Sequence, residues 1–226
     1  MTSIFQRALG ADFDRLHPQI QARFGVHSAG GVASIGTGVM DEVRRAKWLT
    51  RPFLSFGALR RIMFAETGRA IGFTIENWPY VDRFGREAVT FNRTFELPTR
   101  RRRFDATMVY STQRGRVVDY LGTHQHLVAD ICVQVDADGG LRLRTGEQRF
   151  HEGPVGFRFP LWASGVGDVR EWFDERAGRH RIEVAVCNRL VGPLFGYRGS
   201  FVARQVPLGP HGAPASVKPV REERRE

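Results

Sequence analysis

The sequence predicts a mainly β fold: a single antiparallel sheet of about ten strands, strongly curved into a barrel or half-barrel, with N-terminal helices and one broken helix on its concave side. Three observations carry that prediction. Between Leu127 and Arg144 apolar and polar residues alternate with the period of a half-buried strand. From Ile71 to Val206, short runs of strand-forming residues are separated by turns such as Asp82-Arg83-Phe84-Gly85 and Gln113-Arg114-Gly115, the rhythm of a meander. Helical spacing is confined to the stretch before Gly25 and to Met40 through Phe64.

Taken in order, Ser3 is placed to cap a short helix through Leu9, and a second helical stretch carries Phe13, Leu16, Ile20 and Phe24, with Pro18 limiting its first part. The glycine-rich run Gly30 to Gly38 lacks the Gly-Lys-Ser/Thr ending of a phosphate loop, and Asp41 stands where a dinucleotide fingerprint needs glycine. It reads as a strand whose glycines mark bends. Met40 to Phe64 mixes Trp48, Phe53, Leu54 and Ile62 with six basic residues, and Pro52 and Gly57 interrupt it. This is the broken helix expected over the sheet.

Strands are then expected at Ile71 to Tyr80, Arg86 to Leu97, Phe104 to Ser111 and Arg116 to Leu121. Next comes the best-specified element, a hairpin within Val117 to Phe150. Its odd positions Leu127, Ile131, Val133, Val135, Leu141 and Leu143 are apolar; its even positions Asp130, Gln134, Asp136, Arg142 and Arg144 are polar. A two-residue turn would set odd against even. A three-residue loop at Asp138 to Gly140 keeps apolar opposite apolar and sets Val135 near Leu143. On the same parity the inner face would continue as Thr145, Glu147 and Arg149, and begin at Thr123 and Gln125, so polar groups turn inward at one end. Further strands are read at Val155 to Leu161, Asp168 to Phe173, Arg179 to Cys187 and Leu194 to Val206. These elements make one domain over 1–206; residues 207–226, rich in Pro, Gly and charge, are expected to form a disordered tail.

The 226 residues carry a formal charge of +10, almost all of it arginine, since Lys47 and Lys218 are the only lysines. Such a balance speaks to association rather than to fold or catalysis. Cys132 and Cys187 stand apart in separate strands without a CxxC, which suggests neither a zinc site nor a disulfide framework. The N-terminus lacks the basic start and apolar run of a signal peptide, and a cytoplasmic location is expected.

Candidate chemistry comes from polar residues at inward parity. Arg93 interrupts Val89, Phe91, Phe95 and Leu97; Asn77 follows Ile71, Phe73 and Ile75; Asn188 follows Ile182, Val184 and Val186. With Glu147 these are the expected ligand-binding residues: an apolar wall for a hydrophobic body, and Asn77, Arg93, Glu147 and Asn188 for a polar head. The competing reading is a structural Arg93–Glu147 bridge. His124, His126 and Glu152 form a weaker candidate set for catalysis, as acid-base groups or around a metal, although no metal or other cofactor is called for. As an alternative, Arg100 to Arg103 with Arg44 to Arg61 make a basic surface for peripheral contact with an anionic membrane or for nucleic acid; nucleic acid is the less expected, because no aromatic residues are interleaved with Arg100 to Arg103 for base stacking.

The segments IFQRALGADFDRLHP, IGTGVMDEVRR, DYLGTHQHL, DGGLRLRTGEQRF and LFGYRGSF together resemble a bacterial family catalogued as domain of unknown function 4166. The resemblance covers nearly everything up to Phe201. It implies a compact domain met alone or fused behind a saccharopine-dehydrogenase-like, NAD(P)-dependent Rossmann domain, and it supplies no catalytic residues. With no such partner in this chain, the implied role is accessory to a separately encoded reductase. The function expected from the residues is binding of a small amphipathic, lipid-like molecule in the curved sheet.

Overall fold

A computed structural model describes residues 2–45, 61–159 and 164–226. The strands are β1 (Val32–Arg45), β2 (Gly68–Asn77), β3 (Pro79–Val81), β4 (Glu87–Glu96), β5 (Arg101–Ser111), β6 (Arg116–Leu121), β7 (Leu127–Val135), β8 (Leu141–Glu152), β9 (Val155–Arg158), β10 (Gly165–Asp174), β11 (Arg179–Asn188) and β12 (Gly192–Pro207). Leaving aside β3, which pairs only with β4, and β9, which pairs only with β8, each strand lies antiparallel beside the next in sequence. Pairing of β8 with β10 and of β12 with β1 closes the ring. The result is a closed up-and-down barrel of ten strands with two extra strands, which resolves the choice between barrel and half-barrel.

One end of the barrel is filled from the N-terminus. Helix α1 (Ile4–Leu9) starts in a capping box, with the Ser3 hydroxyl accepting from the Gln6 N–H and the Gln6 side chain accepting from the Ser3 N–H. Helix α2 (Pro18–Phe24) has proline in its first turn, where the missing N–H costs nothing. Phe5, Ile20 and Phe24 drop from these helices into the barrel, with Phe13 from the 3-10 turn Gly10–Arg15 between them, and the Phe5 ring meets Phe24 at 4.9 Å and Phe91 at 6.0 Å between centroids. Arg23 goes in with them. Its Nε donates to Glu171 of β10 at 2.5 Å, and His180 of β11 faces the same carboxylate at 3.6 Å. Burial works against the charge on Glu171, yet Arg23 and His180 outweigh it and hold the pKa below the usual range.

The glycine-rich run is a strand, as expected. Gly36 and Gly38 of β1 lie opposite Ala203 and Phe201 of β12, and a Cβ on Gly38 would fall on the Ser200 carbonyl oxygen and the Phe201 Cα. The glycines therefore let the last strand close tightly on the first.

Three expectations are corrected. Met40 to Arg45 is not helical but the end of β1, where Met40 and Val43 are buried across an irregularity between Met40 and Glu42. Of the expected broken helix, residues 46–60 lie outside those described, and Phe64 packs as an isolated core residue against Phe95 and Phe195 at 5.0 Å each. The hairpin keeps its parity but turns one residue earlier: Asp136 N–H donates to Gly140 O at 2.8 Å, Ala137 to Gly139 form the loop, and Val135 lies opposite Leu141. Gly139 takes φ 75°, the left-handed conformation such a loop demands.

The third correction concerns residues 207–226, which run along the outside of the barrel instead of hanging free. The outer faces of β3 to β7 carry Tyr80, Ala88, Val109, Tyr120 and Val128, and Ala213 and Val217 cover them. Arg86 fixes the strap by donating to Glu223 O at 2.8 Å and to Tyr120 Oη at 2.9 Å, and Gln125 accepts from Glu223 N–H at 2.6 Å. Few apolar residues are needed when the apolar surface to be covered belongs to the barrel.

Candidate functional site: a cavity at the loop end of the barrel

At the end away from the helices the interior is not filled by the described residues. A cavity of about 170 Å³ opens there between strands, with Phe104, Met108, Leu121, Ile131, Leu143 and Val184 among its walls and Ile62, Met63 and Phe159 at its margin. Its polar lining falls into two sets. Thr145 accepts from the Gly167 N–H at 3.1 Å and Gln148 donates to the Gly165 carbonyl, so both are occupied in joining β8 to β10. Arg93, Asp119 and Tyr197 are not so occupied.

These three come from β4, β6 and β12 and are more than nine-tenths buried. Arg93 stacks its guanidinium over Phe104 at 4.7 Å and over Phe91 at 5.7 Å, while its Nε and Nη1 have no hydrogen-bond partner. Asp119 has an unpartnered Oδ1. Burial pushes its carboxyl up to about 7, against the pull of the nearby Arg93 charge. Burial likewise raises the Tyr197 hydroxyl, with Arg93 again opposing. The two stay near each other without a hydrogen bond of good geometry. Buried polar groups are nearly always satisfied, so three incompletely bonded ones facing one apolar cavity stand out.

Of the residues expected from sequence, only Arg93 lines this cavity. Glu147 does not, and the cause is a bulge: β7 and β8 slip register between Ala129 and Ile131, so that beyond Thr145 it is Gln148 and Phe150 that oppose Ala129 and Leu127. Glu147 is thereby turned to the outside, where Arg149 binds it at 2.8 Å, and the anticipated Arg93–Glu147 bridge does not form. On that outer face Arg114 and Arg149 also grip Asp130, at 2.7 and 2.5 Å; burial would raise the Asp130 pKa, but the two guanidinium groups keep it low. Asn77 is buried deeper in the barrel, donating to Thr90 O at 3.3 Å. Asn188 organises the β11–β12 turn, accepting from Leu190 and Val191 N–H at 2.9 and 3.0 Å and donating to Ser164 O at 2.9 Å.

His124 and His126 belong to the β6–β7 connection rather than to a strand, with Gln125 between them at φ 56°. Their rings stack at 5.5 Å, and His126 Nδ1 lies 2.7 Å from Glu152 and 3.1 Å from the His151 carbonyl. Glu152 therefore lies beside His126. Among the described residues, no three His, Cys, Asp or Glu side chains are grouped to hold a metal ion. The arginine run at Arg101 to Arg103 is largely neutralised locally, Arg101 by Glu96, Arg102 by Glu66 and Arg103 by Asp105, at 2.5 to 3.1 Å. No described helix is long and apolar enough to cross a membrane.

Asp119 was legible by the same parity as Arg93, since Val117, Asp119 and Leu121 are alternate residues of one strand. Tyr197 carries no such signal, because a tyrosine among apolar residues reads as core.

Fold and cavity together define a class: antiparallel up-and-down β-barrels plugged at one end and left open by the described residues at the other, with buried polar groups facing the cavity. The chain belongs to the family described as domain of unknown function (DUF4166), whose model matches residues 16–201, as the sequence motifs had indicated. It is 32% identical over 201 residues to the uncharacterized protein YndH of Bacillus subtilis (strain 168), an alignment covering 89% of this chain and 97% of that protein. No solved structure matches it.

Proposed function

We propose that the barrel binds a small amphipathic molecule, its body against the apolar walls and its polar head on Arg93, Asp119 and Tyr197. The observation that supports this is the set of open hydrogen-bonding positions on three buried side chains aimed into one cavity. Size narrows the ligand. About 170 Å³ is close to the roughly 150 Å³ that encloses benzene and below the roughly 300 Å³ at which drug-sized sites begin. The enclosed body is therefore a single ring or a short chain, smaller than a membrane lipid.

Protein purified without a tag, then denatured, extracted and analysed by mass spectrometry, should release a small apolar compound. Failing co-purification, titration with 1-octanol and with octanoate should shift the NMR resonances of Ile131 and Val184. Arg93→Met should weaken octanoate binding at least tenfold at unchanged fold. If no compound is released and neither probe moves those resonances, the proposal is wrong. A separately encoded NAD(P)-dependent reductase, implied by the family resemblance, would act on or receive the molecule so held; co-purification of such an enzyme is the corresponding test.

A further inference from the structure

We infer that the cavity takes its ligand as a carboxylate together with one proton, the carboxylate resting on Arg93 and the proton on Asp119. This rests on the cavity being a binding site and adds the chemical class of its occupant.

Arg93 is charged at any pH the protein meets, and its planar fork suits a two-point grip on a carboxylate. Two of its nitrogens, Nε and Nη1, are buried and unpartnered. Asp119 is the nearest available counter-charge, yet no ion pair joins the two within 4.0 Å, and Asp119 Oδ1 is itself unpartnered. Were Asp119 the resident partner of Arg93, the two would meet in the bidentate geometry that Arg114 and Asp130 adopt on the outer face. Nε and Nη1 are instead left without a partner beside the cavity, one nitrogen from each of the two edges on which a guanidinium can grip a carboxylate.

Charge balance then dictates the proton. Around the cavity the titratable linings among the described residues are Arg93 of β4, Asp119 of β6 and Tyr197 of β12; β5, β7, β8, β10 and β11 contribute only uncharged side chains. Arg23 and Glu171 approach Tyr197 from the helix end and cancel each other in their own pair. An incoming carboxylate on Arg93 would thus share an apolar chamber with Asp119. Two like charges there repel strongly, so the bound state requires Asp119 neutral, in which form it can donate to the ligand or to Tyr197. A neutral alcohol or ester makes no such demand. An amine would be repelled by Arg93.

The test uses butanoate, hexanoate and octanoate beside 1-octanol and methyl octanoate, titrated calorimetrically into the intact chain from about pH 6 to about pH 9 in buffers of differing ionisation enthalpy. The inference expects a carboxylate to be preferred over alcohol and ester, uptake of about one proton per carboxylate at alkaline pH, and an affinity falling about tenfold per pH unit there. Asp119→Asn should abolish the uptake and flatten the slope, and Arg93→Met should lose the carboxylates while keeping 1-octanol. Equal affinity for carboxylate and alcohol, carboxylate binding without proton uptake, or an unchanged slope in Asp119→Asn would each overturn the inference while leaving the cavity reading intact. Failure of every probe to bind would remove both readings. Far-ultraviolet circular dichroism of the two variants separates lost binding from lost fold, and if either unfolds, Asp119→Ser and Arg93→Gln take their places.

Discussion

Replacing Asp119 by asparagine should make the protein more stable at neutral and alkaline pH, and the size of the effect follows from its burial. In the folded state the carboxyl titrates at about 7 against an ordinary value of 3.8. A raised acid binds its proton more tightly when folded, so its contribution is fully present below the unfolded pKa and is lost as pH rises through the folded one. Over that window of about three pH units, at about 1.4 kcal/mol each, wild type should lose about 4 kcal/mol that Asp119→Asn retains. Asparagine copies the shape of the protonated acid and cannot ionise. The difference between variant and wild type should therefore be near zero at about pH 4 and grow steadily to about pH 7. Above that it should be level. For a domain of this size it amounts to roughly 10 °C in Tm. Urea unfolding of both proteins across that range, with the difference taken at each pH, removes titrations the two share. A difference that is constant with pH, or of opposite sign, would show that Asp119 does not sit in the dry, weakly paired position described.

The Arg23–Glu171 pair should behave in the opposite manner. Arg23→Met strands a buried carboxylate and should cost about 3 to 5 kcal/mol in urea unfolding, with Arg23→Met/Glu171→Leu recovering much of it. Because the Glu171 pKa is lowered in the fold, the stability it supplies is present above its unfolded pKa and lost as pH falls through the folded one. Gly38→Ala should destabilise by about 1 to 3 kcal/mol through backbone crowding against β12, measured the same way. Deleting residues 208–226 should expose the Tyr80–Tyr120 face, seen as increased binding of a hydrophobic fluorescent dye and a lower Tm with the β circular-dichroism signal kept; unchanged dye binding would mean that the strap covers nothing.

Much of the barrel was legible because antiparallel strands with one wet face write their burial into the sequence at a period of two. The Leu127 to Arg144 alternation gave correct faces near the turn, and even the one-residue error in loop position left parity intact, since apolar still faced apolar. Parity fails wherever a strand gains a residue. At Gly146 a bulge reverses the faces, which is why Glu147 and Arg149 looked inward and are not. The glycine was the visible sign, for an isolated glycine within a strand marks just such a place. Closure was not legible, because pairing of β8 with β10 past the extra strand β9 depends on shear and not on any local pattern. The strap was misread for a different reason. Its own composition is that of a disordered tail, and the sign of it lay in β6, where Val118 and Tyr120 are apolar on the face that should be wet.

The contrast between the two ends of the barrel interior bears most directly on function. At the helix end, Arg23, Glu171 and His180 lie within 3.6 Å of an opposite charge and beneath rings that fill the space around them. At the loop end, Arg93 of β4 and Asp119 of β6 lie near each other unjoined, beside space the described residues leave open. A barrel able to pair a buried arginine with a carboxylate at one end is not prevented by its fold from doing so at the other. Selection for stability alone would have paired Arg93 or replaced it with an apolar residue, since buried charges are often neutral or unfavourable to the fold. Keeping Asp119 in addition lowers stability at neutral pH by the amount worked out above. Such a cost is retained when the groups that carry it are used, because residues selected to hold a ligand are not those that best stabilise the empty fold.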